Sequence, residues 1–114
     1  MTKPKVWLHG ECALIQASLP VGATPVSMPM IAAENAAIIA PSEVTGNHHV
    51  IDMEPGVEFF SHEGKNYANS KNPMTVRCVL KERHDAVTLP PGTYLLGFQQ
   101  EFNYLEMVLQ QVRD

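Results

Sequence analysis

Met74-Thr75-Val76-Arg77-Cys78-Val79-Leu80 is the stretch whose reading decides the fold. Met74, Val76, Cys78 and Leu80 fall on one side of an extended chain. Thr75, Arg77 and Lys81 fall on the other, with Val79 the exception. Alternation with a period of two marks a strand buried on one face. Cys78 lies within this apolar pattern, which predicts a buried free thiol.

Outward from this strand the chain keeps the same rhythm. Nine prolines and seven glycines punctuate it, with apolar runs of about five to seven residues between them. Val6–Leu8 and Cys12–Ile15 read as short strands around His9-Gly10-Glu11. Pro20, Pro25 and Pro29 make residues 18–30 an extended loop or an edge, because proline lacks a backbone donor. Residues 31–35 suit one helical turn. Ala36–Ala40, His48–Met53 and Val57–Ser61 are further strands, the second closed by Glu54-Pro55-Gly56. His62-Glu63-Gly64-Lys65 reads as a hairpin turn, and the asparagine-rich residues 66–72 as a polar loop. Ala86–Leu89 leads through Pro90-Pro91-Gly92 into the longest strand, Thr93–Phe102, with Tyr94, Leu96, Phe98 and Phe102 on one face and Gly97 on the other. At the end the period changes. Leu105, Val108, Leu109 and Val112 follow helical spacing behind Asn103 and Glu106, a capping-box pair. The expected fold is mainly β: one domain over residues 1–114, an antiparallel barrel or sandwich of about seven to nine strands with a short C-terminal helix. The helix stripe must be covered by its own sheet or by a second subunit.

Composition narrows the function. The 114 residues carry a formal charge of −4, and the longest basic cluster is Arg77, Lys81 and Arg83. Duplex binding calls for a basic face that displaces counterions, so nucleic acid is not the expected partner. No leader and no apolar run near the ~20 residues of a membrane span is evident, and Cys12 and Cys78 have no zinc-type spacing, so a cytoplasmic protein with reduced thiols is expected. The charged fraction of 18% is low and leans toward a covered surface, hence a homo-oligomer or a contact with another protein. No serine sits in a Gly-x-Ser-x-Gly elbow, and no phosphate-binding glycine loop occurs.

Chemistry, where it exists, lies with the histidines. Glu43-Val44-Thr45-Gly46-Asn47-His48-His49 and Glu82-Arg83-His84 place three of the five beside strands. Alternation in the 48–53 strand puts Asn47, His49, Ile51 and Met53 on one face and His48, Val50 and Asp52 on the other. A 74–80 strand continued further puts His84 on the face of Val76, Cys78 and Leu80. Both His49 and His84 are therefore expected inside, where two imidazoles meeting in a barrel mouth make a cupin-like site for a divalent transition metal. Two imidazoles need a further ligand, from Glu43, Glu82 or Glu101. The simpler reading is a scaffold cluster in which the same carboxylates hydrogen-bond the buried rings. No cofactor is expected on that reading. A Glu82–Glu101 carboxylate pair is a further arrangement, with a charged outer face as its ordinary explanation. His9 and His62 read as turn residues on the surface.

The ordered blocks Gly10-Glu11 with Leu14-Ile15, Glu43–Gly46 with His49, Glu82 with His84, Leu89-Pro90 with Gly92 and Tyr94, and Gln99 with Glu101-Phe102 resemble a family of small bacterial and phage β-rich proteins of unassigned function. In that family the first histidine block usually reads Thr-Gly-His-x-His, and two acids precede the histidine of the second. Here Asn47 and Arg83 stand at those places. The resemblance implies a compact β domain of bacterial or phage origin, with one candidate ligand lost. The expected function is a non-enzymatic structural or interaction module. The alternatives are a small metal-dependent enzyme using His49 and His84, and a small-ligand binder lined by Tyr94, Phe98 and Met74.

Overall fold

A computed structural model describes residues 5–9, 12–40, 48–79 and 86–98. Among these residues eleven strands form two antiparallel sheets that face each other. The first sheet holds β1 (Val6–His9), β2 (Cys12–Ala17), β3 (Thr24–Pro25), β7 (Glu58–His62), β8 (Lys65–Ser70) and β11 (Gly92–Phe98), in the order β1-β2-β11-β8-β7-β3. The second holds β4 (Met30–Ile31), β5 (Ala36–Ala40), β6 (His49–Asp52), β9 (Met74–Cys78) and β10 (Val87–Leu89), in the order β10-β9-β6-β5-β4. The sheets do not close into a barrel, so the sandwich alternative holds. The C-terminal helix expectation lies outside the described residues.

The alternation read in residues 74–80 appears as buried Met74, Val76 and Cys78 against half-buried Thr75 and Arg77. The inner faces carry Cys12, Leu14, Phe59, Ala68 and Tyr94 from one sheet and Ala37, Ile39, Ile51, Met74, Val76 and Leu89 from the other. Tyr94 is fully buried, with Trp7 edge-on to its ring at 5.4 Å. Burying an aromatic side chain of this size removes some 150–250 Å² from water, so Tyr94 anchors the core.

One element departs from expectation. Residues 66–70 belong to β8, not to a polar loop. Asparagine disfavours strands when judged alone. Here β8 is central, paired with β7 on one side and β11 on the other. Tyr67, Ala68 and Ser70 are buried, and Asn69 Nδ2 donates to Thr93 Oγ1. Pairing on both edges outweighs the local preference.

The turns follow their residues. Glu63 (φ 51°) and Gly64 (φ 79°) close the β7–β8 hairpin with two left-handed positions, the I′ geometry that fits strand twist. Pro55 precedes Gly56 (φ 94°), and Val57 N–H donates to Glu54 O at 3.1 Å, a type II turn. The proline-rich segment crosses from one sheet edge to the other, with β3 on β7 and β4 on β5. The helical turn appears as a 3₁₀ turn at Ala32–Glu34, ended by left-handed Asn35, which donates through Nδ2 to Met53 O at 3.0 Å.

Candidate functional site

The two ends of the sandwich are built differently. At one end the chain crosses between sheets by short links: residues 53–57, 71–73 and 90–91. The Asp52, Met74 and Leu89 ends of the second sheet therefore lie beside the Glu58, Ser70 and Gly92 ends of the first. The opposite end holds His49 and Cys78 in the second sheet and His9, Cys12 and Phe98 in the first. The long segments 41–47 and 80–85 leave from this opposite end. β5 and β9 flank β6, and Ala40 pairs with His49 while His49 pairs with Cys78. The β1–β2 connection and the chain beyond β11 leave from there too.

The described strands that flank four of the five sequence blocks singled out above end on this side, while most residues of those blocks lie outside the described residues. Of the candidate residues, His49 is described and Glu43, Asn47, Glu82, His84 and Glu101 lie outside the described residues. β9 ends at Cys78, and the inward aim expected of His84 lies outside the described residues.

His49 sits where alternation puts it, on the face of core residue Ile51, and is buried. Its Nδ1 is 3.7 Å from Cys78 Sγ, its directly paired neighbour on β9. Cys78 is buried and in no disulfide, as expected, and so is Cys12. Desolvation pushes the Cys12 thiol up to about 12, which keeps it protonated and unreactive at neutral pH. Cys78 is the partner that sequence reasoning missed. Its membership of an apolar strand spoke for core, and only the β6–β9 register brings it to the histidine. Among the described residues no group of three or more His, Cys, Asp or Glu side chains could hold a metal ion.

The outer face of the second sheet explains the other charged residues. Asp52 points outward, as alternation predicts. Arg77 Nη2 lies 2.8 Å from Asp52 Oδ1, while its Nε donates to the same oxygen at 2.9 Å and its Nη1 to Glu34 Oε1 at 2.9 Å. The hydrogen bond to Asp52, first among the causes, raises the Arg77 pKa above its ordinary value. Arg77 is thereby committed to two carboxylates, which takes it out of any phosphate-binding patch. Val50, beside it, is fully buried although it lies on this outer face. His62 ends β7 instead of standing free in a turn; it is half-buried, with Nε2 2.9 Å from Glu63 Oε2.

A third region lies along residues 18–31. Three of the four large apolar side chains that reach solvent among the described residues are here: Leu19, Val21 and Met30. Val21 is 98% exposed, at the tip of a turn in which Ala23 N–H donates to Pro20 O at 3.1 Å. The same segment walls an apolar cleft of about 310 Å³, with Val26, Met28 and Met30 facing Met53, Val57 and Phe59. The ligand cavity expected around Tyr94 and Met74 is not at those residues, since both are fully buried in packed core.

No curated protein and no solved structure matches the chain. A family model matches residues 8–99, from the second half of β1 to the residue after β11, and so takes in both sheets and the whole loop end but for its last block. The chain belongs to that family, the domain of unknown function DUF8820.

Proposed function

We propose that this domain is a non-enzymatic interaction module that works as a homo-oligomer, with the segment 18–31 as its contact surface. The observation that carries the reading is a group of exposed apolar side chains on one segment, headed by Val21 at 98% exposure, a patch and not an isolated residue. Leu19, Met30 and the methionine-lined cleft extend the same surface. Methionine packs against irregular shapes, which suits a contact surface. A second copy of the chain is the occupant this reading commits to; among the described residues β3 and β4 are outer strands of their sheets, and an outer strand offers backbone groups to a second chain. A phage or prophage origin and a cytoplasmic setting fit the same picture. Among the described residues no helix is long and apolar enough to cross a membrane.

Light scattering on the full chain tests it. The wild type should run as a dimer or larger, and Val21→Asp with Met30→Asp should run as monomer with an unchanged melting temperature. A monomeric wild type at high micromolar concentration overturns the reading.

A second reading rests on the loop end. The β5–β6 and β9–β10 connections, which carry His48 and His84, start from strands paired at His49 and Cys78. That convergence favours a divalent transition-metal site with His49 and His84 as ligands. Elemental analysis of protein purified without tag or chelator, beside His49→Ala and His84→Ala, checks it: near-stoichiometric metal lost in both variants supports the site, and metal-free wild type that takes up none on addition refutes it.

A further inference from the structure

We infer that two copies of this chain exchange their Val21 turns, each turn seating in the other copy's apolar cleft; the inference rests on the contact surface just proposed and says what fills it. Three observations carry it. The first is placement. Residues 20–23 form a type II turn, with Gly22 at φ 92° and Ala23 N–H donating to Pro20 O at 3.1 Å. A Cβ added to Gly22 would stand 3.7 Å from His62 Cε1, so the turn lies over the last residue of β7. The cleft takes in Glu58 and Phe59, the first two residues of the same strand. Turn and cleft therefore sit toward opposite ends of β7, roughly 10–13 Å apart at about 3.3 Å per residue. Two copies laid edge to edge about a twofold axis run in opposite directions. That arrangement brings each turn to the partner's cleft, as a self-complementary interface requires.

The second is the manner of contact. β3 is the outer strand of the first sheet, beside β7. Val26 N–H donates to Phe59 O at 3.0 Å, toward β7. Amides alternate in direction along an extended chain, so the nitrogen of neighbouring Pro25 faces away from β7, and it has no hydrogen to give. Addition of a further strand at β3 lacks that donor. The contact falls to side chains instead, and Val21, 98% exposed on a tight turn, is the one that stands furthest into solvent.

The third is charge. No Asp, Glu, Lys, Arg or His occurs from Cys12 to Ala33, in a chain of net charge −4. Outer strands are ordinarily guarded by charged side chains. A charged partner finds nothing to pair with on this segment, whereas an equally neutral copy of it leaves no ion without water. The cleft, about 310 Å³, is at the small end of binding pockets and suits a turn tip. Its methionines, Met28, Met30 and Met53, adapt to the shape of what enters.

Disulfide trapping on the full chain tests the exchange. Val21→Cys and Glu58→Cys are prepared separately, one with a size tag, and mixed under mild oxidation at a concentration where the wild type scatters as a dimer. Both positions are exposed, and Cys12 and Cys78 are buried, so the new thiols are the ones that react. A disulfide needs Cα atoms about 4.4–6.8 Å apart, so turn-to-cleft contact should make the mixed disulfide the main product. Met28→Asp, which charges the cleft and leaves the turn alone, should lose the dimer as Val21→Asp does. Val21→Cys linked chiefly to itself, or no mixed product from a dimeric wild type, would overturn the exchange and leave the dimer standing. A wild type that scatters as monomer would overturn the contact surface and the exchange together.

Discussion

The crossover end and the loop end of this sandwich are opposite solutions to ending a strand. At the crossover end the links 53–57, 71–73 and 90–91 are short and tied down. Tyr94 Oη donates to Pro90 O at 2.6 Å, Asn72 N–H to Ser70 Oγ at 3.0 Å, and Asn72 Nδ2 to Pro55 O at 3.2 Å. At the loop end the two links of the second sheet, 41–48 and 79–86, are long, and polar groups sit on the strands themselves, in His49 and Cys78. The first end spends its unusual residues on geometry. The second concentrates groups that titrate, ligate and donate. The difference teaches which sequence blocks to read as scaffold: Leu89-Pro90-Pro91-Gly92-Thr93-Tyr94 is a latch, since Tyr94 reaches back over the link between the sheets to hold it.

Substitutions can break this contrast. The largest effect should come from Tyr94→Ala, which empties a fully buried aromatic site and should cost about 3–5 kcal/mol in urea unfolding. Tyr94→Phe keeps the ring but leaves the Pro90 carbonyl without its donor, at about 1–2 kcal/mol. Neither should change metal uptake. Next comes the loop end: His49→Ala should cost about 1–3 kcal/mol through the lost buried polar contact and should abolish metal uptake. If Tyr94 variants lose metal at temperatures where they remain folded, the two ends are not separable.

Gly92→Ala tests the latch by backbone alone. Gly92 has φ 149°, and an added Cβ would meet only the Tyr94 ring, at 4.0 Å. The expected cost of about 1–2 kcal/mol is therefore conformational, seen as a lower midpoint with an unchanged denaturant slope. Arg77→Met, on the outer face between the ends, should cost about 1 kcal/mol, and the cost should shrink in high salt. An equal cost at both ends of the salt range would mean that packing, not charge, holds Arg77.

The smallest effect at neutral pH should come from the ionisation of Cys12. Its folded pKa is raised from 9.0 to about 12 by burial. Below pH 9 the thiol is neutral in both folded and unfolded chains. Above it the unfolded thiol ionises first, so the contribution to stability is lost as pH rises from about 9 through about 12. Tyr94, also raised by desolvation, acts in the same direction at higher pH. Cys12→Ala should flatten the alkaline fall in the urea midpoint, and an unaltered slope would place the thiol in contact with water.

Much of the fold was legible in the chain because its signals are local. Alternation at Met74–Cys78, the prolines of residues 18–30, Glu63-Gly64 and Pro55-Gly56 all act over a few residues, and each appears where expected. What escaped is set by pairing across the chain. β8 looked polar because half of each strand's preference comes from its neighbours, and both its neighbours supply them. The inward aim of His49 was legible from Ile51 two residues on. Its encounter with Cys78 was not, because a register between residues 29 apart leaves no mark in either segment.

β2 and β11 lie side by side in the middle of the first sheet, though residues 12–17 and 92–98 are separated by most of the chain. This has a consequence for the protein's birth on the ribosome. While the later strands are still being made, Cys12-Ala13-Leu14-Ile15 has β1 on one edge and nothing on the other, an apolar strand open to any passing chain. Non-local closure of this kind is slow, and exposed edges aggregate while they wait. The first sheet is finished only when β11 has cleared the exit tunnel, so the edge of β2 stays open until every other strand of that sheet has been made.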